Sequence, residues 1–157
     1  MTTERPFDRL RPVTPAYAVR GIEESFNWRD CLGSVDAGEW YVVAFRSVRR
    51  PEADDALLYE LDERALQEAN AHSGLLHYFS GDLDDQRRCL SMCVWEDRRR
   101  AQESAALPNH TAAIDISGAT YESYILERYT LKKEDGAVEL VPLEPPQHSA
   151  AVEGQPA

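Results

Sequence analysis

Hydrophobic and polar positions along the chain form short runs that are separated by turn residues. Residues 39–48 (EWYVVAFRSV) and 87–96 (RRCLSMCVWE) are rich in aromatic and β-branched side chains, which is typical of β-strands. Three further runs have a similar character, at 75–79, 121–133 and 138–143. The pattern predicts four strands and allows a short additional strand at the last of these positions.

The segments between these strands carry apolar residues at helical spacing. Residues 51–73 follow this pattern, and acidic residues crowd the start of the segment, which suits the positive end of a helix dipole. Residues 97–106 form a second predicted helix, with Asp97 as its candidate N-cap. Pro108 interrupts this helix. We expect Asn109 to cap a further helical stretch before the last strands.

The order strand–helix–strand–strand–helix–strand predicts an α+β fold. In a ferredoxin-like split βαβ domain, these elements form a four-stranded antiparallel sheet with both helices on one face. We expect this domain to span residues 26–143, after an N-terminal arm at 1–25. Residues 144–157 are polar and rich in proline, so we expect a disordered C-terminal tail.

A sheet with helices on one face leaves its other face uncovered. Such an apolar face cannot remain in water, and a second copy of the chain is the most economical cover. The sequence therefore predicts a homodimer that packs sheet to sheet, as a dimeric α/β barrel.

Alternation along the strand at 87–96 separates two sets of side chains. The aliphatic set is expected beneath the helices, and it consists of Leu90, Met92 and Val94. The polar and reactive set then falls on the uncovered face, and it consists of Cys89, Ser91, Cys93 and Trp95.

Polar side chains on the same predicted face suggest a small-molecule cleft. We expect the cleft to be lined by Trp95, Cys93, Ser91, Arg46 and His77, because an apolar cavity with a few polar groups is the usual form of such a site.

Three residues are the candidates for catalysis, namely His77, His110 and Arg46. His110 follows Pro108 and Asn109 at a helix start, so it is either a base beside the cleft or a surface residue. An arginine in an apolar strand needs a partner, and Glu127 on a neighbouring strand is the candidate. Arg46 either forms a structural ion pair with Glu127 or anchors a carboxylate or enolate of a ligand.

Charge and cysteine content narrow the function classes. The formal net charge is −11, which disfavours nucleic acid and anionic membrane surfaces as partners. No segment approaches the ~20 apolar residues of a membrane helix. The chain starts without an apolar leader and has three cysteines, and an odd number favours a cytoplasmic location.

Residue spacing and the motifs of the sequence argue against a disulfide, a metal site and hydrolase activity. Cys89 and Cys93 lie four residues apart in a strand, about 13 Å at ~3.3 Å per residue, which is too far for a disulfide. No group of histidine, cysteine and acidic residues has convincing metal-binding spacing. The sequence has neither a glycine-rich phosphate loop nor a Gly-x-Ser-x-Gly elbow, so nucleotide hydrolysis and ordinary hydrolase activity are not expected.

The stretch CVWEDRRRAQESAALPNHTAA resembles the dimeric α/β-barrel superfamily, which includes antibiotic-biosynthesis monooxygenases and haem-degrading monooxygenases. The resemblance is carried by a strand that ends in Val-Trp-Glu, then a helix, a proline and a histidine, here Val94, Trp95, Glu96, Pro108 and His110. A longer pattern over about residues 26–130, with FNWRDC, GLLHYFSGD and YESYILERY among its pieces, is similar to an uncharacterised family of hypothetical proteins.

The superfamily resemblance implies cofactor-independent oxygenation, or acid/base isomerisation or cyclisation, of a small apolar metabolite of aromatic, polyketide or terpenoid type. Haem-degrading members line their pocket with an asparagine, a tryptophan and a histidine. Trp95 and His110 match two of these, but the strand EWYVVAFRS has no asparagine, which argues against haem degradation.

Three functions therefore stay open. The first is an enzyme without a cofactor, the second a haem- or ligand-binding protein without turnover, and the third a non-catalytic dimeric scaffold or stress protein. A sealed pocket with converging polar groups favours the enzyme, whereas a sheet face filled by side chains without a cavity favours the scaffold.

Overall fold

The computed structural model describes residues 5–72 and 74–149. The strands are β1 Gly38–Arg49, β2 Leu75–Ser80, β3 Arg88–Trp95, β4 Tyr121–Glu134, β5 Ala137–Pro142 and β6 Gln147–Ser149. A 3-10 helix at Pro6–Arg9 precedes the α-helices α1 Ile22–Ser25, α2 Trp28–Cys31, α3 Asp55–Ala71, α4 Arg98–Ala105, α5 Pro108–Asp115 and α6 Ser117–Thr120. None of the helices in these described ranges has the length and apolar character needed to cross a membrane.

The strands form one antiparallel sheet in the order β2-β3-β1-β4-β5, and β6 also pairs with β4. Central strand β1 pairs along its length with both β3 and β4, so that Val42 lies opposite Val94 and Tyr129. The predicted α+β ferredoxin-like fold is confirmed, but the main sheet has five strands and not four. The extra strand β5 forms a hairpin with β4 through Asp135 and Gly136, which both have positive φ, as a tight hairpin turn requires.

Side chains at the helix starts explain where the helices begin. The carboxylate of Asp97 accepts a hydrogen bond from the backbone N–H of Arg100 at 2.8 Å, which confirms the predicted cap of α4. Asp54 caps α3 in the same way through the N–H of Leu57. Helix α5 begins at Pro108 with Leu107 as its N-cap, two residues earlier than an Asn109 cap predicts, because proline suits the first helical position.

The two faces of the sheet pack against different parts of the chain. On one face, Trp95, Tyr41, Val43 and Leu126 pack with alanines of α3 and α4. On the other face, the sheet residues of a second core cluster are Val42, Ala44, Leu90, Met92, Val94, Leu131 and Leu140. The prediction that the aliphatic side of β3 lies beneath the helices is therefore wrong. The helices present small residues, which leave room for the bulkier aromatic side of the sheet.

Residues 5–37, called the N-terminal segment below, cover the aliphatic face. Their contribution to the core is Phe7, Leu10, Ile22, Phe26, Trp28, Cys31 and Leu32. Phe7 is 2% exposed and Leu32 is fully buried. The prediction of an uncovered sheet face is therefore wrong, since the chain supplies its own cover and needs no second copy for that purpose.

The predicted arm and tail also have structure where they are described. Phe7, Leu10 and Ile22 of the predicted arm belong to the core. Within the predicted tail, β6 pairs with residues 124–126 of β4, and residues 150–157 lie outside the described residues.

Arg46 holds the N-terminal segment against the sheet. Its guanidinium donates hydrogen bonds to the backbone carbonyls of Tyr17 and Ala18, both at 2.9 Å, and of Arg20 at 2.7 Å. Its Nε donates to Glu127 at 2.9 Å, so the expected ion pair forms. The side chains of Arg46 and Glu127 are only 12% and 15% exposed. A single, largely covered cation therefore joins β1, β4 and the segment.

Replacement of Arg46 tests this attachment. We expect Arg46→Ala to lower the free energy of unfolding by about 3 kcal/mol. The substitution removes the positively charged partner of Glu127, and it removes the hydrogen-bond donor of three backbone carbonyls. Arg46→Lys should lose less, since it keeps the charge but not the planar fork. Urea unfolding measures both changes.

Arg64→Ala is the matched control, since the Arg64–Glu60 pair is exposed on α3 and should contribute less than about 1 kcal/mol. Equal losses in Arg46→Ala and Arg64→Ala would contradict the assigned role of Arg46.

Candidate functional site

A cavity of about 210 Å³ lies between the aromatic face of the sheet and helices α3 to α6. Most of its lining is apolar, and its polar side chains come from strands and helices alike. The lining residues with a polar or titratable side chain are Asp62, Tyr78, Ser91, Cys93, Trp95, Ser104, His110, Ser117, Tyr121 and Tyr124. An apolar cavity with a few converging polar groups is the usual form of a small-molecule site.

Four of the seven sequence-predicted site residues lie together at this cavity. Ser91, Cys93 and Trp95 enter it from β3, and His110 enters from α5. His110 lines the cavity, and burial lowers its pKa, while its role as a base stays a prediction.

The other three predicted residues do not line the cavity. Arg46 and Glu127 bind each other, and Arg46 also binds the N-terminal segment. His77 lies close enough to Asp8 of that segment for the carboxylate to oppose the lowering of its pKa by burial. The alternation along β2 is broken by a bulge between Leu75 and His77. Leu75 and Tyr78 therefore both line the cavity.

Asp62 is the acidic residue of the cavity that the sequence reading missed. It lies on the inward stripe of α3 with Ala65, Leu66 and Ala69, at the spacing of one helix face. Burial raises the pKa of Asp62 to about 6, and the nearby Arg49 opposes this shift. A carboxyl group with this pKa can both accept and release a proton near neutral pH.

Two tyrosines lie beside Asp62. Burial raises the pKa of Tyr78 and of Tyr121, and the Asp62 carboxylate adds to both increases. Both phenols therefore keep their protons at neutral pH and act as neutral hydrogen-bond donors.

Arg49 lies behind this group, at the end of β1, and it is 6% exposed. Its Nη1 donates to Tyr59 Oη at 2.8 Å and to Asp55 Oδ1 at 3.2 Å. These bonds fix the guanidinium close to Asp62, where its positive charge favours the ionised carboxylate.

Glu68 of α3 holds His110 in position from outside the cavity. Its carboxylate accepts hydrogen bonds from the backbone N–H of Asn109 at 3.1 Å and from the Asn109 side chain at 2.9 Å. It therefore caps the N-terminus of α5, a position that suits a negative charge. Burial lowers the pKa of His110, and Glu68 and the Ala105 carbonyl oppose that shift. The imidazole is therefore neutral at pH 7.

Trp95 contributes its indole ring to the cavity wall. Its ring is 4% exposed, and its Nε1 has no hydrogen-bond partner within the described ranges. The buried Trp28, by contrast, donates its Nε1–H to the Ile22 carbonyl at 2.8 Å. A buried donor without a partner costs free energy, so Trp95 Nε1 destabilises the fold at this position.

Cys93 adds no nucleophile to the site. Burial raises the pKa of its thiol to about 12, so it stays protonated and unreactive at neutral pH. Cys31, Cys89 and Cys93 are all free thiols, as the strand spacing predicts for Cys89 and Cys93.

The cavity does not fit a haem. Its volume of about 210 Å³ lies below the range of about 300 to 1,000 Å³ that is common for drug-sized ligands. Among residues 5–72 and 74–149, no group of three or more histidine, cysteine, aspartate and glutamate side chains could hold a metal ion.

Proton transfer is the chemistry that this arrangement can perform. Asp62 and His110 line one mostly apolar cavity, and burial moves the pKa of Asp62 upward and that of His110 downward. At neutral pH the pair therefore offers an ionised carboxylate with a pKa close to the ambient pH and a neutral imidazole.

Comparisons with known proteins agree with the fold and with the longer sequence pattern. A family model described as PB2B2.08-like matches residues 2–145. The chain is 32% identical over 102 residues to the UPF0643 protein PB2B2.08 of Schizosaccharomyces pombe. That match covers 61% of this chain and 46% of the relative, so this chain spans about half the length of the curated relative that it matches.

Solved structures share the fold. Protein SO0527 from Shewanella oneidensis has a TM-score of 0.53 at 17% identity, covering 62% of this chain and 98% of that one. PA3566 from Pseudomonas aeruginosa has a TM-score of 0.50 at 15% identity, covering 58% and 92%. SnoaB, a cofactor-independent oxygenase from Streptomyces nogalater, has a TM-score of 0.45 at 15% identity, covering 59% and 90%. The likenesses to SO0527 and PA3566 support the fold.

The burial of Asp62 predicts a stability change with a defined sign. Its folded pKa of about 6 lies above the ordinary value of 3.8, so ionisation destabilises the fold as pH rises through this window. We expect Asp62→Asn to match the parent at about pH 4 and to exceed its free energy of unfolding by about 1–2 kcal/mol at about pH 7. Urea unfolding at several pH values measures the difference.

Glu63→Gln is the control on the same helix, because Glu63 is exposed and glutamine can still accept the hydrogen bond from Gln67. A stability difference between Asp62→Asn and the parent that does not change with pH would argue against a raised pKa at Asp62.

Proposed function

This chain belongs to the PB2B2.08-like family, whose model matches residues 2–145, and on that premise we propose that it is an enzyme that moves protons on a small, mostly apolar metabolite. The observation that carries the proposal is the joint exposure of Asp62 and His110 to one apolar cavity. A scaffold has no need of a cavity that exposes a carboxyl group with a raised pKa.

Asp62 acts first, as the general base. Its ionised carboxylate accepts a proton from a C–H group next to a carbonyl, or from an O–H group, of the bound ligand. The bonding electrons of that C–H or O–H group stay on the ligand as an enolate or phenolate. The protonated Asp62 then returns the proton at a second atom, which gives an isomer of the substrate without any added oxidant.

The cavity wall supports this charge transfer. The hydroxyls of Tyr78 and Tyr121 supply neutral hydrogen-bond donors to a ligand oxygen. Removal of water by the apolar lining strengthens each of these interactions.

Cofactor-independent oxygenation starts with the same proton abstraction. In that reaction the ligand carbanion transfers electrons to dioxygen, which is then the second substrate. The residues of the cavity support the shared first step, and the product distinguishes isomerisation or cyclisation from oxygenation.

We assign the catalytic role to Asp62, with His110, Trp95, Cys93 and Ser91 in contact with the ligand. Arg46 and His77 have no catalytic role in this proposal, because neither residue lines the cavity. Arg46 instead forms hydrogen bonds with Glu127 and with three backbone carbonyls. Ligand binding without turnover remains the alternative.

The cytoplasmic location, the absence of a cofactor and the homodimer stay predictions. A dimer that packs sheet to sheet is not proposed, because the N-terminal segment already buries the sheet face that such a dimer would use. A dimer would need another surface, and light scattering of the intact chain measures whether it forms.

Metabolite conversion tests the proposal. We expect the purified chain to deplete one small compound from an extract of its own host and to form one product. Equal product mass indicates isomerisation or cyclisation, and the addition of one or more oxygen atoms indicates oxygenation. Asp62→Asn should slow conversion by about a hundredfold or more, whereas Arg64→Ala should not change it.

Native mass spectrometry of the same preparations separates binding from turnover. A bound compound that stays unchanged with both the parent and Asp62→Asn would indicate ligand binding alone. Conversion at an equal rate by the parent and by Asp62→Asn would contradict the role of Asp62.

A further inference from the structure

The cavity has two ends, which strand β3 marks. Ser91, Cys93 and Trp95 line the cavity one after another along this strand. Ser91 and Trp95 lie about 13 Å apart along the strand, at ~3.3 Å per residue. The two ends are called the Ser91 end and the Trp95 end below, and they differ in the groups that a ligand can reach.

The Ser91 end carries the carboxylate and the phenols of the cavity. Cys89 is the next residue of β3 on this face. Burial raises the pKa of Cys89 and the Asp62 carboxylate adds to the increase, so Asp62 lies near this end. Asp62, Tyr78 and Tyr121 are all half-buried and line the cavity. A ligand group at the Ser91 end therefore meets one acceptor carboxylate and two phenol hydroxyls.

The register of the sheet places Tyr121 at the Ser91 end independently. Cys89 pairs with Ser47 of β1, and Tyr121 pairs with Arg49, two residues further along the same strand. Tyr121 is thus on the opposite side of the Ser91 end from Trp95, so the polar groups gather there because the strands hold them there.

The Trp95 end offers a ligand mostly carbon surface. Trp95 packs in one cluster with Val43, Ala69 and Ala101. Its Nε1 is buried without a hydrogen-bond partner within the described ranges, and the same holds for Nδ1 of His110, so neither nitrogen meets a ligand. A polar ligand group at this end would lose its hydrogen bonds to water without replacement.

The volume and the walls of the cavity suit a single aromatic ring. An engineered apolar cavity of about 150 Å³ binds benzene, and this cavity measures about 210 Å³. Phe45, Tyr121 and Tyr124 line it and contact one another, with ring centroids between 5.0 and 6.2 Å apart. Aromatic walls of this kind pack favourably against another aromatic ring.

The charges around the cavity favour an uncharged ligand. Among the described residues that line it, none is a lysine or an arginine, so an anion finds no counter-charge and faces Asp62. A cation would meet the positive charge of Arg49, which lies close enough to oppose the rise that burial causes in the Asp62 pKa. A neutral hydroxyl group donates to Asp62 without adding a charge.

We propose that the cavity binds an uncharged compound that consists of one aromatic ring with a single hydroxyl group. The hydroxyl donates to Asp62 at the Ser91 end, and the rest of the ring packs at the Trp95 end. During turnover Asp62 accepts the hydroxyl proton, and the bonding electrons stay on the oxygen as a phenolate. This inference rests on the proposed function, because it names the substrate class of the same cavity.

Binding of three para-substituted benzenes of nearly equal size tests the inference. Para-cresol carries one hydroxyl and one methyl group, hydroquinone two hydroxyls, and para-xylene two methyl groups. We expect calorimetry on the intact chain near neutral pH to give about tenfold tighter binding of para-cresol than of para-xylene, which corresponds to one net hydrogen bond. Hydroquinone should also bind about tenfold more weakly than para-cresol, because its second hydroxyl loses water at the Trp95 end.

Two further probes test the charge and the size of the ligand. Benzylamine has as many non-hydrogen atoms as para-cresol but is a cation, and 2-naphthol carries a second fused ring. We expect both to bind at least about tenfold more weakly than para-cresol. Binding of benzylamine as tight as that of para-cresol would indicate a site for cationic amines, and equally tight binding of 2-naphthol a site for larger ring systems. Either result overturns the proposal.

Asp62→Asn assigns the acceptor of the hydroxyl group. This variant should lose most of the preference for para-cresol over para-xylene, because a hydrogen bond to a charged acceptor is about twice as strong as one to a neutral acceptor. It should keep the preference for para-cresol over hydroquinone, which depends on the Trp95 end. Arg64→Ala should leave both ratios unchanged, and thermal unfolding confirms that each variant is folded. Unchanged ratios in Asp62→Asn would overturn the role of Asp62 in binding.

The outcomes separate this inference from the proposed function. Equal binding of para-cresol and para-xylene by the parent, or of para-cresol and hydroquinone, overturns the ligand with one hydroxyl and leaves the proposed enzyme intact. Lack of binding by all five probes also overturns it. Conversion of a host compound, which uses none of these probes, tests the proposed enzyme separately.

Discussion

The sheet has two apolar faces, and both have to be kept from water. Central strand β1 is paired on both edges, and its side chains alternate between the two faces, so Val42 and Val43 are each buried on a different side. Helices α3 to α6 cover one face, and the N-terminal segment covers the other. Removal of either cover would expose a continuous apolar surface, which a soluble chain tolerates only at an interface.

The two covers differ in how closely they pack. The N-terminal segment brings large side chains such as Phe7, Ile22 and Trp28 into close contact with aliphatic strand residues. The helices instead present alanines, among them Ala65, Ala69, Ala101 and Ala105. Small side chains over an aromatic sheet face do not fill the intervening volume. The cavity is thus a direct result of composition, and burial in it shifts the pKa of Asp62 and of His110.

The sequence predicts most elements of the fold, because strand alternation, helix spacing and caps such as Asp97 are local signals. It does not predict which face of β3 meets the helices. Both sides of that strand are apolar enough to be buried. The residues that cover its aliphatic side lie within 5–37, and some of them fall in the predicted N-terminal arm at 1–25. The bulge at Leu75 also reverses the alternation along β2, so His77 and Tyr78 exchange sides.

Part of the candidate site could also be predicted from local sequence signals. Trp95, Cys93, Ser91 and His110 share the cavity because they share a strand face or follow a helix start. Residue type alone does not distinguish Asp62 from the other acidic residues of α3. Its position on the same stripe as Ala65, Leu66 and Ala69 is the signal that separates it from the exposed carboxylates of that helix.

The attachment made by Arg46 has a consequence for how the sequence can change over time. Its guanidinium binds the main-chain carbonyls of Tyr17, Ala18 and Arg20, and every amino acid carries that carbonyl. The side chains of Ala18 and Arg20 can therefore change without loss of these bonds, whereas position 46 cannot, and Tyr17 is held by its own packing against Phe79. Among related chains we expect a fixed arginine opposite variable residues at 18 and 20, and the most informative residue for tracing this N-terminal cover lies outside it, in the sheet.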